Sequence, residues 1–92
     1  MVYQIELSDE AKVNINEASE YYLKISKALH DKFIADVVKT IDGLQDKPLH
    51  FQIRYRSIRI AHTNVFPFGV HFIIESATIR ILKILHHKQY YK

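Results

Sequence analysis

The sequence predicts an α+β fold: an N-terminal strand, an antiparallel helix hairpin, then a three- to four-stranded antiparallel meander covered on one face by the helices. Three observations lead there. Apolar residues alternate at period two at the start, recur every three or four residues through the middle, and return to period two after Pro48. Helical patterns in one run and strand patterns in another indicate α+β rather than alternating parallel units. Two glycines and two prolines leave few sharp turns, so regular elements fill most of the chain.

The first strand spans Val2 to Leu7, where Tyr3, Ile5 and Leu7 alternate with Gln4 and Glu6. Ser8 is placed as a helix N-cap, with Asp9 and Glu10 where the positive end of the helix dipole favours acids. Ala11, Ile15, Ala18, Tyr22 and Ile25 then mark one helix face. Ser26 reads as a second N-cap. It opens a stripe of Leu29, Phe33, Val37, Ile41 and Leu44, which Ile34 and Val38 widen. Gly43 weakens the end of this helix, and Pro48 excludes helical geometry at Lys47. Helices joined with almost no loop form a hairpin.

Beyond Pro48, Leu49, Phe51, Ile53 and Tyr55 alternate with His50, Gln52, Arg54 and Arg56, and Ile58 and Ile60 flank Arg59. Val65-Phe66-Pro67-Phe68 interrupts, because Pro67 has no N–H for a ladder. Val70, Phe72 and Ile74 form the next strand. Thr78 to His86 forms the last, apolar enough on both sides to lie inside the sheet.

At 92 residues the chain holds a single domain, 1–92, with no room for a second core. So small a domain is marginally stable alone, and a partner that binds only the folded form would stabilise it by mass action. Cysteine is absent, which removes disulfides, thiolate chemistry and Cys-based zinc sites and fits a reducing cytosol. No apolar run approaches the roughly 18 to 20 residues that cross a bilayer, and the start lacks a signal-peptide pattern. A cytoplasmic location is the expectation.

The net charge of +3 conceals an asymmetry. Residues 1–46 hold five lysines and nine acids, a balance of −4; residues 47–92 hold four lysines and four arginines against Glu75 alone, a balance of +7. That points to an acidic or polyanionic partner.

The leading candidate surface is the polar side of the strand after Pro48. There Gln52, Arg54 and Arg56 project together, opposite Phe51, Ile53 and Tyr55. Arginines two residues apart on a strand stand about 6 to 7 Å apart, near the spacing of successive phosphates. The plainer reading is a solvated face whose arginine stems cover apolar surface. The tail His86-His87-Lys88-Gln89-Tyr90-Tyr91-Lys92 interleaves cations with rings. Such a mixture suits a nucleic acid, and a histidine there could move protons near neutral pH. A loosely packed terminus is the simpler alternative. No metal site is expected, because neighbouring strand residues such as His86 and His87 point to opposite faces and no HExxH spacing occurs. No cofactor is implied.

Taken together, the motifs resemble the RelE/ParE toxins of type II toxin–antitoxin systems. They are the helix start Ser8-Asp9-Glu10-Ala11, the step from Leu44 to Pro48, the strand Ser57-Ile58-Arg59, the turn Phe66-Pro67-Phe68 and the closing strand Ile81 to His86. The resemblance implies a growth-inhibiting toxin neutralised by a cognate antitoxin, as a homodimer or a heterotetramer with it. It implies one of two targets. ParE-like members inhibit DNA gyrase without being enzymes; RelE-like members cleave messenger RNA on the ribosome. For a ribonuclease, Arg54 and Arg56 would hold the phosphate and His87 or Tyr91 would move protons. A target-binding surface would draw on Gln52, Arg54, Arg56, Arg59, His86, Lys88 and Tyr90. Phe66-Pro67-Phe68-Gly69 stands where the ribonucleases place an arginine, and the tail lacks their Lys/Arg-rich run. Those departures favour the ParE-like reading; a toxin fold reduced to an interaction module is the third.

Overall fold

The computed structural model describes residues 3–88. Strand β1 (Gln4–Leu7) leads into helices α1 (Asp9–Ile25) and α2 (Lys27–Leu44); after a single 3₁₀ turn at Pro48–His50 come β2 (Ile53–Tyr55), β3 (Ile58–His62), β4 (Phe68–Glu75) and β5 (Thr78–His86). The sheet order is β1-β5-β4-β3-β2. The last four strands form the expected antiparallel meander, and β1 joins it parallel to β5, which makes the sheet mixed. The predicted Val2 of β1 lies outside the described residues.

Both serine caps form. Ser8 Oγ accepts from the Ala11 N–H at 3.0 Å and donates to the Leu82 carbonyl at 2.6 Å, so one hydroxyl starts α1 and ties it to β5. Ser26 closes α1 through its own N–H on the Tyr22 carbonyl and opens α2 by accepting from the Leu29 N–H. A single extended residue thus turns the hairpin.

The helices cover one face of the sheet. Residues paired across an antiparallel ladder point to the same side, so Phe68, Val70, Phe72 and Ile74 share a side with His86, Ile84, Ile81 and Ile79. All but His86 and Ile74 are buried there, with Phe33, Val37 and Leu44 of α2 and Ala11 of α1. Each fully buried large side chain contributes about 1.5 to 3 kcal/mol. The rings of Tyr22, Phe33, Phe66 and Phe68 stack in a cluster with centroids 4.8 to 5.6 Å apart. Ile25 and Val38, expected on the core side, are exposed. A two-layer fold buries only one stripe per helix, and these residues fall beyond its edge.

Two departures from simple alternation shape the functional surfaces. The first is a bulge in β5: His71 pairs with Lys83 but Phe72 with Ile81, which leaves Leu82 as an extra residue. Asn14 of α1 holds the bulge by accepting from the Ile84 N–H at 2.9 Å, beside the Ser8–Leu82 bond. From there on the side chains exchange faces, so His86 points under the helices and His87 to the open side.

The second departure corrects the expected strand after Pro48. Leu49 belongs to the 3₁₀ turn, β2 keeps only three residues, and Ile53 and Leu49 are exposed. Arg56 and Ser57 form a two-residue turn with φ of 46° and 66°. This backbone matches strand twist but needs left-handed residues, and neither glycine nor asparagine is present to announce it. Ser57→Gly is therefore expected to stabilise the fold by about 0.5 to 1 kcal/mol, seen as a higher urea midpoint at unchanged slope.

Candidate functional site

The structure divides the predicted residues between two surfaces. Gln52, Arg54 and Arg56 do not line up on one strand face: Gln52 precedes β2, Arg54 sits within it and Arg56 belongs to the turn, all three exposed. The early end of the 3₁₀ turn and the irregular β2–β3 register break their alternation. Arg59 pairs with Phe72 and so faces the helix side, where its Nη1 donates to the Phe51 carbonyl at 2.6 Å. It braces the chain after the 3₁₀ turn instead of reaching outward. Arg80 is engaged by Glu6 at 3.4 Å and Glu75 at 3.5 Å. Among the described residues, Arg54 and Arg56 are then the arginines without an ion pair or a carbonyl acceptor. Tyr90 and Tyr91 lie outside the described residues.

One surface is a groove of about 560 Å³ between α1 and the end of the sheet. Ala18, Tyr22, Phe68 and Ile84 make its apolar floor; Glu17, Tyr21, His86 and Lys88 stand at its rim. The His86 ring packs edge-on to Phe68 at 5.3 Å, and its Nδ1 accepts from the Lys88 N–H. Burial, then the neighbouring Tyr21, raises the Tyr22 hydroxyl above its ordinary pKa, so this phenol stays neutral. Such a volume with an apolar floor and a charged rim admits anchor side chains of an amphipathic segment.

The other surface is the open face of the sheet. Ile60 and His62 pair with His71 and Gly69, which pair in turn with Lys83 and Leu85. Tyr55 Oη and His71 Nδ1 are hydrogen-bonded at 3.0 Å, and the Tyr55 ring meets the fully buried imidazole edge-on with centroids 6.1 Å apart. Burial first, then the positive charge of Lys83 and the neighbouring His62, push the His71 pKa down to about 4. His71 is neutral at physiological pH. His62 Nδ1 and His87 Nε2 lie 3.0 Å apart with the rings nearly perpendicular. Burial, then His87 and Arg54, lower the His62 pKa as well. The face thus combines Arg54, Lys83 and three imidazoles. Its acids, Glu6 and Glu75, stand at the far end, where both engage Arg80.

Sequence reasoning missed the residue that shapes the intervening turn. Asp36 of α2 is buried, and its carboxylate accepts from the N–H groups of Asn64, Val65 and Phe66 at 2.9 to 3.1 Å. Thr63 completes the clasp through its N–H on the Phe68 carbonyl and its hydroxyl on the Phe66 carbonyl. A signal was present: Asp36 is three residues past Phe33, within the apolar stripe, where an acid persists only if hydrogen-bonded. His62 and His71 carried no such signal, since only strand register brings them beside His87 and Tyr55. Among the described residues no group of three or more His, Asp or Glu side chains is arranged to hold a metal.

Comparison with known proteins agrees with this architecture. Residues 5–91 match the family model described as the ParE toxin of type II toxin–antitoxin system, parDE. A solved structure described as a chromosomal ParDE TA system from P. aeruginosa superposes with a TM-score of 0.82 at 19% identity, covering 92% of this chain and 96% of that one. The archaeal RelE-RelB complex from Pyrococcus horikoshii OT3 superposes less closely, with a TM-score of 0.53 at 14% identity over 97% and 99% of the chains. No protein with a curated description matches by sequence. The match across nearly the whole sequence means that this chain belongs to the ParE toxin family of type II toxin–antitoxin systems.

Proposed function

We propose that this toxin inhibits DNA gyrase by binding it, without catalysis, and that a cognate antitoxin neutralises it in the cytoplasm. The observation that carries this choice of target is the Phe66–Phe68 turn. Both rings are buried and its backbone is bound to Asp36, so the stretch where the ribonucleases place an arginine is an apolar clasp with no cation to offer a phosphate. His71 supports the reading, since a buried imidazole with a pKa near 4 exchanges no proton at neutral pH. Gyrase would meet the cations of the open face and its edge hairpin, Arg54 and Arg56 foremost. Purified toxin is expected to inhibit supercoiling in a dose-dependent way, and supercoiling untouched by excess toxin would sink the proposal.

The antitoxin would take the groove, since its apolar floor suits a segment that folds on binding. Tyr21 is exposed at the rim and leaves the core intact when truncated. Tyr21→Ala is expected to weaken antitoxin binding by about ten- to a hundredfold, with the unfolding midpoint nearly unchanged. Titration calorimetry with the antitoxin checks it.

One observation favours a second reading, cleavage of messenger RNA. Arg54 lies near enough to the His62–His87 pair to depress His62, which puts a cation beside two imidazoles. Transcript cleavage in a translation extract, abolished in Arg54→Ala, would favour this reading over gyrase.

A further inference from the structure

The histidine pair on the open face has the geometry of half a metal site. His62 ends β3 and His87 follows β5, so the two stand on opposite sides of β4. His62 pairs with Gly69, and the His87 N–H donates to the Pro67 carbonyl at 2.8 Å, which fixes both backbones against one strand. Gly69 has no side chain to separate the rings, and they meet above β4. Their facing nitrogens, His62 Nδ1 and His87 Nε2, are 3.0 Å apart with ring planes at 85°. A tetrahedral ion about 2.0 to 2.1 Å from each of two imidazole nitrogens holds them about 3.3 Å apart. The separation needs to open by only a few tenths of an ångström.

We propose that His62 and His87 form a two-imidazole site for a divalent transition-metal ion of the zinc, nickel or copper class. In the metal-free protein the facing nitrogens share one proton as a hydrogen bond. When the ion enters, that proton moves through solvent to the other nitrogen of the same ring. Both facing lone pairs then donate to the metal, the imidazoles stay neutral, and no net proton is released. Solvent completes the coordination shell. Imidazole donors select zinc, copper and nickel over magnesium and calcium, and the cation beside His62, Arg54, brings no oxygen ligand for a hard ion. The site crosslinks the ends of β3 and β5 on the face that bears Arg54 and Lys83, and an ion there would add positive charge to that surface.

Calorimetric titration of the tag-free full chain with ZnCl2, NiCl2 and MgCl2 tests the proposal. One-to-one binding of zinc or nickel, none of magnesium, and an affinity at least tenfold lower in both His62→Asn and His87→Asn are expected. His50→Asn, on the distant 3₁₀ turn, keeps wild-type affinity. Because either variant could disturb the sheet, Ni²⁺ is also titrated into wild-type protein by NMR, where the His62 and His87 ring protons should broaden first. Absence of one-to-one binding, binding indifferent to both substitutions, or broadening spread evenly over all six histidines would overturn it.

Discussion

Replacing Asp36 with alanine is expected to remove about 3 to 5 kcal/mol of stability, the largest loss of any single polar substitution in this fold. The carboxylate accepts three backbone N–H groups at 2.9 to 3.1 Å, and the Phe66 donor among them is buried. Charge-assisted bonds of this kind are worth about 1.5 to 3 kcal/mol each, and a buried donor left without an acceptor bears its full desolvation cost. A domain of this size has roughly 5 to 14 kcal/mol in total. The variant should therefore melt on the order of 15 °C lower or fail to accumulate. Asp36→Asn keeps the shape but turns an amide toward three donors, and is expected to lose about half as much. Urea unfolding of both variants distinguishes this account from simple cavity formation, which would leave the asparagine variant near wild type. The turn should loosen in both, so antitoxin binding in the groove weakens as Phe68 shifts.

Periodicity alone placed β1, both helices and the last three strands within a few residues, because each buries one continuous apolar stripe and begins or ends at a residue with clear local chemistry. As helix caps and helix stop, Ser8, Ser26 and Pro48 act through their own backbone neighbours, and such local physics is visible in a sequence. The candidate site depended on something else. Whether His86 or His87 enters the groove turns on the extra residue Leu82, and that bulge is stabilised by Ser8 and Asn14, more than 60 positions away. Arg59 looked like an outward cation because its spacing matched the polar phase; a carbonyl exposed by the 3₁₀ turn drew it to the helix side. Arg56 left the strand at a turn whose left-handed residues have no glycine to mark them. Non-local pairing and strained turns are what alternation counts do not encode.

The same non-local contacts predict an acid-sensitive fold. His71 has a folded-state pKa of about 4 against an ordinary 6.5, so between those values the unfolded chain binds a proton that the native protein refuses. Stability then rises with pH across this window: it is complete above about 6.5 and drains away as the pH falls toward 4, by about 2 to 3 kcal/mol for this one ring. Below 4 both states are protonated and His71 contributes no further loss. Tyr55, Lys83 and His62 face the ring, and none of these three is an acid that would favour the imidazolium. His62, also pushed down, acts in the same direction. The test is a Tyr55→Phe, His71→Phe double variant, which puts a phenyl ring at each position and removes the polar atoms of the hydrogen-bonded pair. Its stability at pH 7.5 is expected to stay within about 1 kcal/mol of wild type. Its urea midpoint should fall much less than that of wild type between pH 6.5 and 4.5. If the two proteins lose stability in parallel, the acid sensitivity arises elsewhere and the buried imidazole is not its source.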